Sequence, residues 1–83
     1  MIIFNNTTGH QTSADLTASG PFYLQVSGNL VGSVSLEASL DAGITPEAIW
    51  HTSIAGVFYV DLPENATYRI RVDSAYPVSV CTG

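Results

Sequence analysis

The chain has no lysine, and its only basic residues are Arg69 and Arg71. Against them stand seven acids, Asp15, Glu37, Asp41, Glu47, Asp61, Glu64 and Asp73, for a formal net charge of −5. Affinity for nucleic acid comes mainly from Lys and Arg displacing counterions around phosphates, and anionic lipid surfaces recruit the same residue types. A surface this acidic repels both, which excludes nucleic acid and membranes as partners. Cysteine is nearly absent as well. Cys81 stands alone, so no internal disulfide forms and a disulfide-stapled secreted mini-domain is excluded. Long hydrophobic runs are also missing, since none approaches the ~18 residues of a membrane-spanning helix. Met1-Ile2-Ile3-Phe4 gives way to Asn5 with no basic residue ahead of it, unlike a secretory signal. These features predict a chain made and kept, or assembled, in a reducing cytoplasm. On that footing Asn6-Thr7-Thr8 and Asn65-Ala66-Thr67 are chance matches to the glycosylation pattern.

Groups for catalysis and metal binding are equally scarce. His10 and His51 are the only imidazoles, and no serine sits in a Gly-x-Ser-x-Gly elbow, so a nucleophile, base and orienting group are not supplied together. Two histidines and one cysteine, far apart, give no ligand pair at i, i+2 or i, i+4. There is no oxygen-rich calcium loop and no phosphate-binding glycine loop. Most acids fall at turns (Asp41, Glu64) or on the polar faces of strands (Glu37, Asp73), where solvation is commoner than the paired geometry of a glycosidase. The expectation is a protein that is not an enzyme and holds no cofactor and no metal.

What is abundant is alternation. Phe22, Leu24 and Val26 alternate with Tyr23, Gln25 and Ser27; Val34, Leu36 and Ala38 with Ser33, Ser35, Glu37 and Ser39; Tyr68, Ile70 and Val72 with Thr67, Arg69, Arg71 and Asp73. A period of two marks half-buried antiparallel strands. Further strands are expected at residues 2–5, 48–52, 57–62 and 78–81. Turn chemistry falls between them every 8–12 residues, at Gly20-Pro21, Gly28-Asn29-Leu30-Val31-Gly32, Asp41-Ala42-Gly43, Ala55-Gly56, Pro63-Glu64-Asn65 and Ala75-Tyr76-Pro77. One helical turn is expected at Pro46-Glu47-Ala48-Ile49, with Thr45 as its cap. The fold class is therefore all-β, a small antiparallel β-sandwich of jelly-roll or Ig-like type with six to eight short strands. Its core should hold Phe22, Leu24, Val26, Val34, Leu36, Tyr68, Ile70, Val72 and Val78. Residues 20–83 form this domain, and residues 1–19 an N-terminal strand with a polar arm.

That arm, residues 6–19, carries eight residues from Asn, Thr, Ser and Gln. It is either a loose segment or an edge strand centred on Leu16. If it orders only on a neighbour, Ile2, Ile3, Phe4 and Leu16 are interface residues; if residues 2–5 open the sandwich, the rest is a long loop. Arg69 and Arg71 share one strand face and serve either intramolecular ion pairs or an interface. Trp50 and the tyrosines offer a sugar-stacking surface, though period-two placement buries about half of such rings. Ser39-Leu40-Asp41-Ala42-Gly43-Ile44-Thr45 resembles the Asp box, a structural hairpin of sialidases and other β proteins, in which the Asp ties down its own turn and Gly supplies a positive φ.

Ordering a chain this short consumes most of what its core supplies, and exposed sheet edges without lysine invite pairing. A homo-oligomer is expected, with a trimer favoured. The order Phe22-Tyr23-Leu24-Gln25-Val26, Gly32-Ser33-Val34-Ser35-Leu36-Glu37-Ala38-Ser39, Asp41-Ala42-Gly43, Trp50, Tyr68-Arg69-Ile70-Arg71-Val72 and Pro77-Val78-Ser79-Val80 resembles the small β-sandwich virion proteins of tailed bacteriophages. That resemblance implies a capsid decoration or cement protein on the outer shell of the virion, bound to the major capsid protein and assembled in the host cytoplasm. The alternatives are a connector or tail component, or a glycan- or cell-surface-binding module using Trp50.

Overall fold

A computed structural model of the chain describes residues 2–16, 20–62 and 66–82. They form β1 (Ile2–Thr12), β2 (Gly20–Gly28), β3 (Gly32–Ser39), β4 (Glu47–Thr52), β5 (Gly56–Leu62) and β6 (Thr67–Thr82), all antiparallel, and no helix is present among them. The strands join in one sheet of order β4-β3-β6-β2-β5, with β1 also paired to β6. The all-β antiparallel expectation holds, within the predicted strand number.

Register reduces these six strands to four long rows. β6 pairs with β3 from Gly32↔Ser74 to Ser39↔Thr67 and with β2 from Leu24↔Thr82 to Gly28↔Val78. The register does not slip from one to the other, and the Ala75 amide donates to the Val31 carbonyl (2.9 Å) between them. β2 and β3 are thus laid end to end along one edge of β6. β4 and β5 form the next row outward, β4 on β3 and β5 on β2. β1 runs along the opposite edge of β6, from Ile2↔Cys81 to Thr12↔Arg71, and a bridge from Leu16 to Tyr68 prolongs it.

The rows cannot be straight. An extended strand rises ~3.3 Å per residue, so the 16 residues of β6 would reach roughly 50 Å, while the molecule's longest dimension is 33 Å. Each row bends where its turn chemistry lies: at 75–77 in β6, at 28–32 between β2 and β3, at 53–56 between β4 and β5, and in β1 around Asn6 and Gly9, which have positive φ. At this fold line the middle rows approach closely. A Cβ on Gly32 (φ +139°) would lie 1.9 Å from the Asp73 carbonyl oxygen, and one on Gly28 (φ +104°) 2.7 Å from that of Pro77. Only glycine fits. Ser74, buried at the bend, donates to the Tyr76 carbonyl (2.8 Å) and accepts from the Val31 amide (3.3 Å), so its polar atom is satisfied.

The curl brings both halves of the sheet onto one cluster: Leu24, Val26, Val34, Leu36, Val60, Leu62, Ala66, Tyr68, Ile70, Val72, Val78 and Val80. Eight of the nine core residues expected from alternation are buried there, and Phe22 packs against them from a half-buried position.

Three local expectations are corrected. Glu47 opens β4, not a helical turn, because the Thr45 amide and hydroxyl already serve Asp41 and no cap is left for Pro46. Residues 67–73 and 78–81 are one strand, since Ala75-Tyr76-Pro77 bends the chain without reversing it. Residues 6–12 are no loose arm but continue β1, laddered to β6. Residues 17–19 and the Pro63-Glu64-Asn65 turn lie outside the described residues. The strands belong to one curled sheet, with β6 shared by both halves.

Candidate functional site

Alternation that buries one face of β3 and β6 projects Ser33, Ser35, Glu37, Arg69, Arg71 and Asp73 to the other. Glu37 is buried there, 8% exposed, and a buried carboxylate demands partners. It receives Arg69 Nε at 2.6 Å on Oε1, and Arg71 Nη1 lies 3.9 Å from Oε2. Both cations of the chain therefore converge on one acid. From β1, His10 Nε2 approaches Asp73 Oδ1 at 3.5 Å, both side chains being exposed. The register runs His10↔Asp73↔Ser33 across three strands. Asp73 is thus in the middle, and His10 lies two strand spacings, roughly 10 Å, from Ser33. A relay needs the imidazole between the hydroxyl and the carboxylate, so this row cannot activate the serine. No group of three or more metal-ligating side chains gathers among the described residues.

The hairpin between β3 and β4 has the hydrogen bonding its Asp-box pattern predicts. Ser39 Oγ donates to Asp41 Oδ1 and accepts from the amides of Asp41 (3.2 Å) and Gly43 (3.0 Å). Asp41 Oδ1 also accepts from the Thr45 amide (2.9 Å), and Oδ2 from the Thr45 hydroxyl. Ala42 and Gly43 both take positive φ. Hydrogen bonds from Ser39 and Thr45 favour the ionised carboxyl and hold its pKa down at about 2, from 3.8. A depressed folded-state pKa adds stability that is complete above the unfolded value and lost as pH falls through the folded one. Asp41→Asn should therefore be less stable than the wild type at pH 7. That gap should close between pH about 4 and about 2, as urea titrations at a series of pH values would show. A gap independent of pH would assign the loss to something other than the carboxylate's charge.

The interface candidates divide. Arg69 and Arg71 are engaged with Glu37. Ile3, Phe4 and Leu16 pack against the protein's own core, and Ile2 is exposed. Trp50 is half-buried with its ring 5.1 Å from that of Phe58, so it offers little free face to a sugar. The exposed aromatics are elsewhere. Tyr23 and Tyr59 stand edge to face, 5.5 Å apart, on the outer face of β2 and β5, with Val57 beside them. Two further exposed apolar groups escaped the sequence reading: Leu40, Ile44 and Ile49 around the Asp41 turn, and Val31, Ile54 and Tyr76 along the fold line. For the Tyr59 row the signal was present in Val57-Phe58-Tyr59-Val60, a run apolar at every position, whose two faces cannot both meet one core.

No protein-family model matches this chain, and neither the curated proteins nor the solved structures provide a match.

Proposed function

We propose that the protein is a structural component that works by surface contact: copies join edge to edge in a closed ring, a trimer, that decorates the outer capsid shell of a tailed-phage virion. The observation that carries this reading is the apolar outer row, where Val57 is 68% and Tyr59 56% exposed with Tyr23 alongside. Monomeric proteins rarely leave such side chains grouped in water. β5 pairs with β2 without a register shift, and its free edge carries only Asp61 as a charge. Such a straight apolar edge is a template for another strand. The four rows alternate in direction, so the β1 edge of one copy and the β4–β5 edge of the next run antiparallel when copies rotate about an axis along the strands. Head-to-tail contacts of this kind close into a ring of three when each copy is turned by a third of a circle.

The capsid assignment rests on the resemblance across residues 22–80, and the acidic surface suits a position away from packaged DNA. The partner is then the major capsid protein. Its test is cosedimentation of the purified chain with empty shells of the coat protein from the same genome. Saturable pelleting with the shells is expected; a chain left wholly in the supernatant overturns this assignment. Exposed Tyr23 and Tyr59 favour a second reading, a glycan-binding module. Micromolar binding on a glycan array, abolished by Tyr59→Ala and untouched by Trp50→Ala, would select it.

A further inference from the structure

A separate surface lies at the hairpin tip, where β4 begins at the far end of the β4–β5 row from Tyr59. Between the end of β3 and the start of β4 opens a cleft of about 490 Å³. Ala38 and Ala66 form its floor, exposed Leu40 and Ile49 its walls, and Asp41 and Glu47 its rim. Asp15 stands behind the turn, its carboxylate 3.2 Å from where a Gly43 side chain would begin. Two acids thus rim an apolar slot with a third, Asp15, behind its turn, and the chain's two cations are both directed to Glu37. We infer that this cleft binds a segment of another protein in which an apolar side chain is flanked by arginines or lysines.

Charge selects this occupant over a second copy. Two such tips would bring their acids together. The chain's one basic–apolar–basic triplet, Arg69-Ile70-Arg71, is not available, because Ile70 is fully buried and both arginines are paired. The partner segment must therefore come from a different chain. Both oxygens of Asp41 are occupied by Ser39 and Thr45, so this carboxylate acts on a partner as a fixed charge at short range. The same hydrogen bonds keep it ionised throughout the neutral and mildly acidic range.

The probe is a synthetic peptide, acetyl-Arg-Leu-Arg-Gly-amide, titrated into the full isotope-labelled chain and followed by amide chemical shifts. Shifts should concentrate at residues 38–49 and 66 with a millimolar Kd, about what a contact this small supports. Leu40→Ser and Ile49→Ser, both at exposed positions, should weaken binding about fivefold or more while leaving the unfolding midpoint in place. Replacing the peptide's leucine by glycine, or its arginines by glutamates, should abolish the localised shifts. Equal binding of either control peptide, shifts scattered over the acidic surface, or unchanged affinity in both serine variants would overturn the inference.

Discussion

Gly32→Ala is expected to lower the thermal midpoint by about 15–30 °C. The added methyl would sit 1.9 Å from the Asp73 carbonyl oxygen and 2.9 Å from its carbon. Both are backbone atoms, held by the ladder between β3 and β6, so no side chain can rotate away. The residue must also keep φ at +139°, where an L side chain is strained by about 1–3 kcal/mol. Overlap in a packed site adds about 1–3 kcal/mol. Together these amount to about half the stability of a domain of this length, roughly 4–12 kcal/mol, and each kcal/mol moves the midpoint by about 4–8 °C. Far-ultraviolet circular dichroism melts measure it. A shift under about 5 °C would mean that the two rows do not approach at Gly32 as described.

Truncation on either half of the curled sheet should be felt by the whole. Ile70→Ala removes a fully buried side chain where β6 meets β3, and Leu24→Ala one where β2 meets β5 and β6. Each should cost about 2–5 kcal/mol, the range for buried Leu or Ile reduced to Ala. Because both residues belong to one cluster, each variant should still unfold in a single transition, with the Trp50 and tyrosine signals coincident. Exposed Leu40→Ala, away from the proposed seam, is the control and should stay within about 0.5 kcal/mol of wild type. Two separated transitions in either variant would show that the halves fold as independent layers.

Inward positions were legible in the sequence because polar and apolar residues alternate in β2, β3 and β6, and that alternation passes through the bend unaltered: Val72 and Ser74 before it face inward, as do Val78 and Val80 after it. The bends themselves were legible as punctuation but not in their meaning. Gly28, Gly32, Gly56 and Pro77 read as places where strands end, since turn residues break a ladder in either case. Whether the chain then reverses or continues depends on pairing with β6, which is nonlocal. The continuation of β1 beyond residue 5 was hidden for a related reason. Asn6, Thr7, Thr8 and Gln11 carry no apolar stripe, and the edge of β6 orders them through backbone hydrogen bonds that any sequence can make. The Asp41 turn was legible from its Ser, Asp and Gly at fixed offsets, but Thr45 also reads as a helix cap, and only the fold commits it to Asp41. The exposed apolar residues at the Asp41 turn and the fold line were not legible, since single apolar residues beside turns carry no period that marks them as exposed.

The account's central claim is that the outer row is a seam between copies, and sedimentation equilibrium at micromolar concentrations tests it most directly. Wild-type protein should populate a species of about 26 kDa, three times the 8.8 kDa chain, in a concentration-dependent way. Val57→Lys places on this edge the kind of charge that natural edges use against pairing and should sediment as a folded monomer. A wild-type protein that stays at 8.8 kDa across the range, or a lysine variant that associates as the wild type does, would contradict the claim.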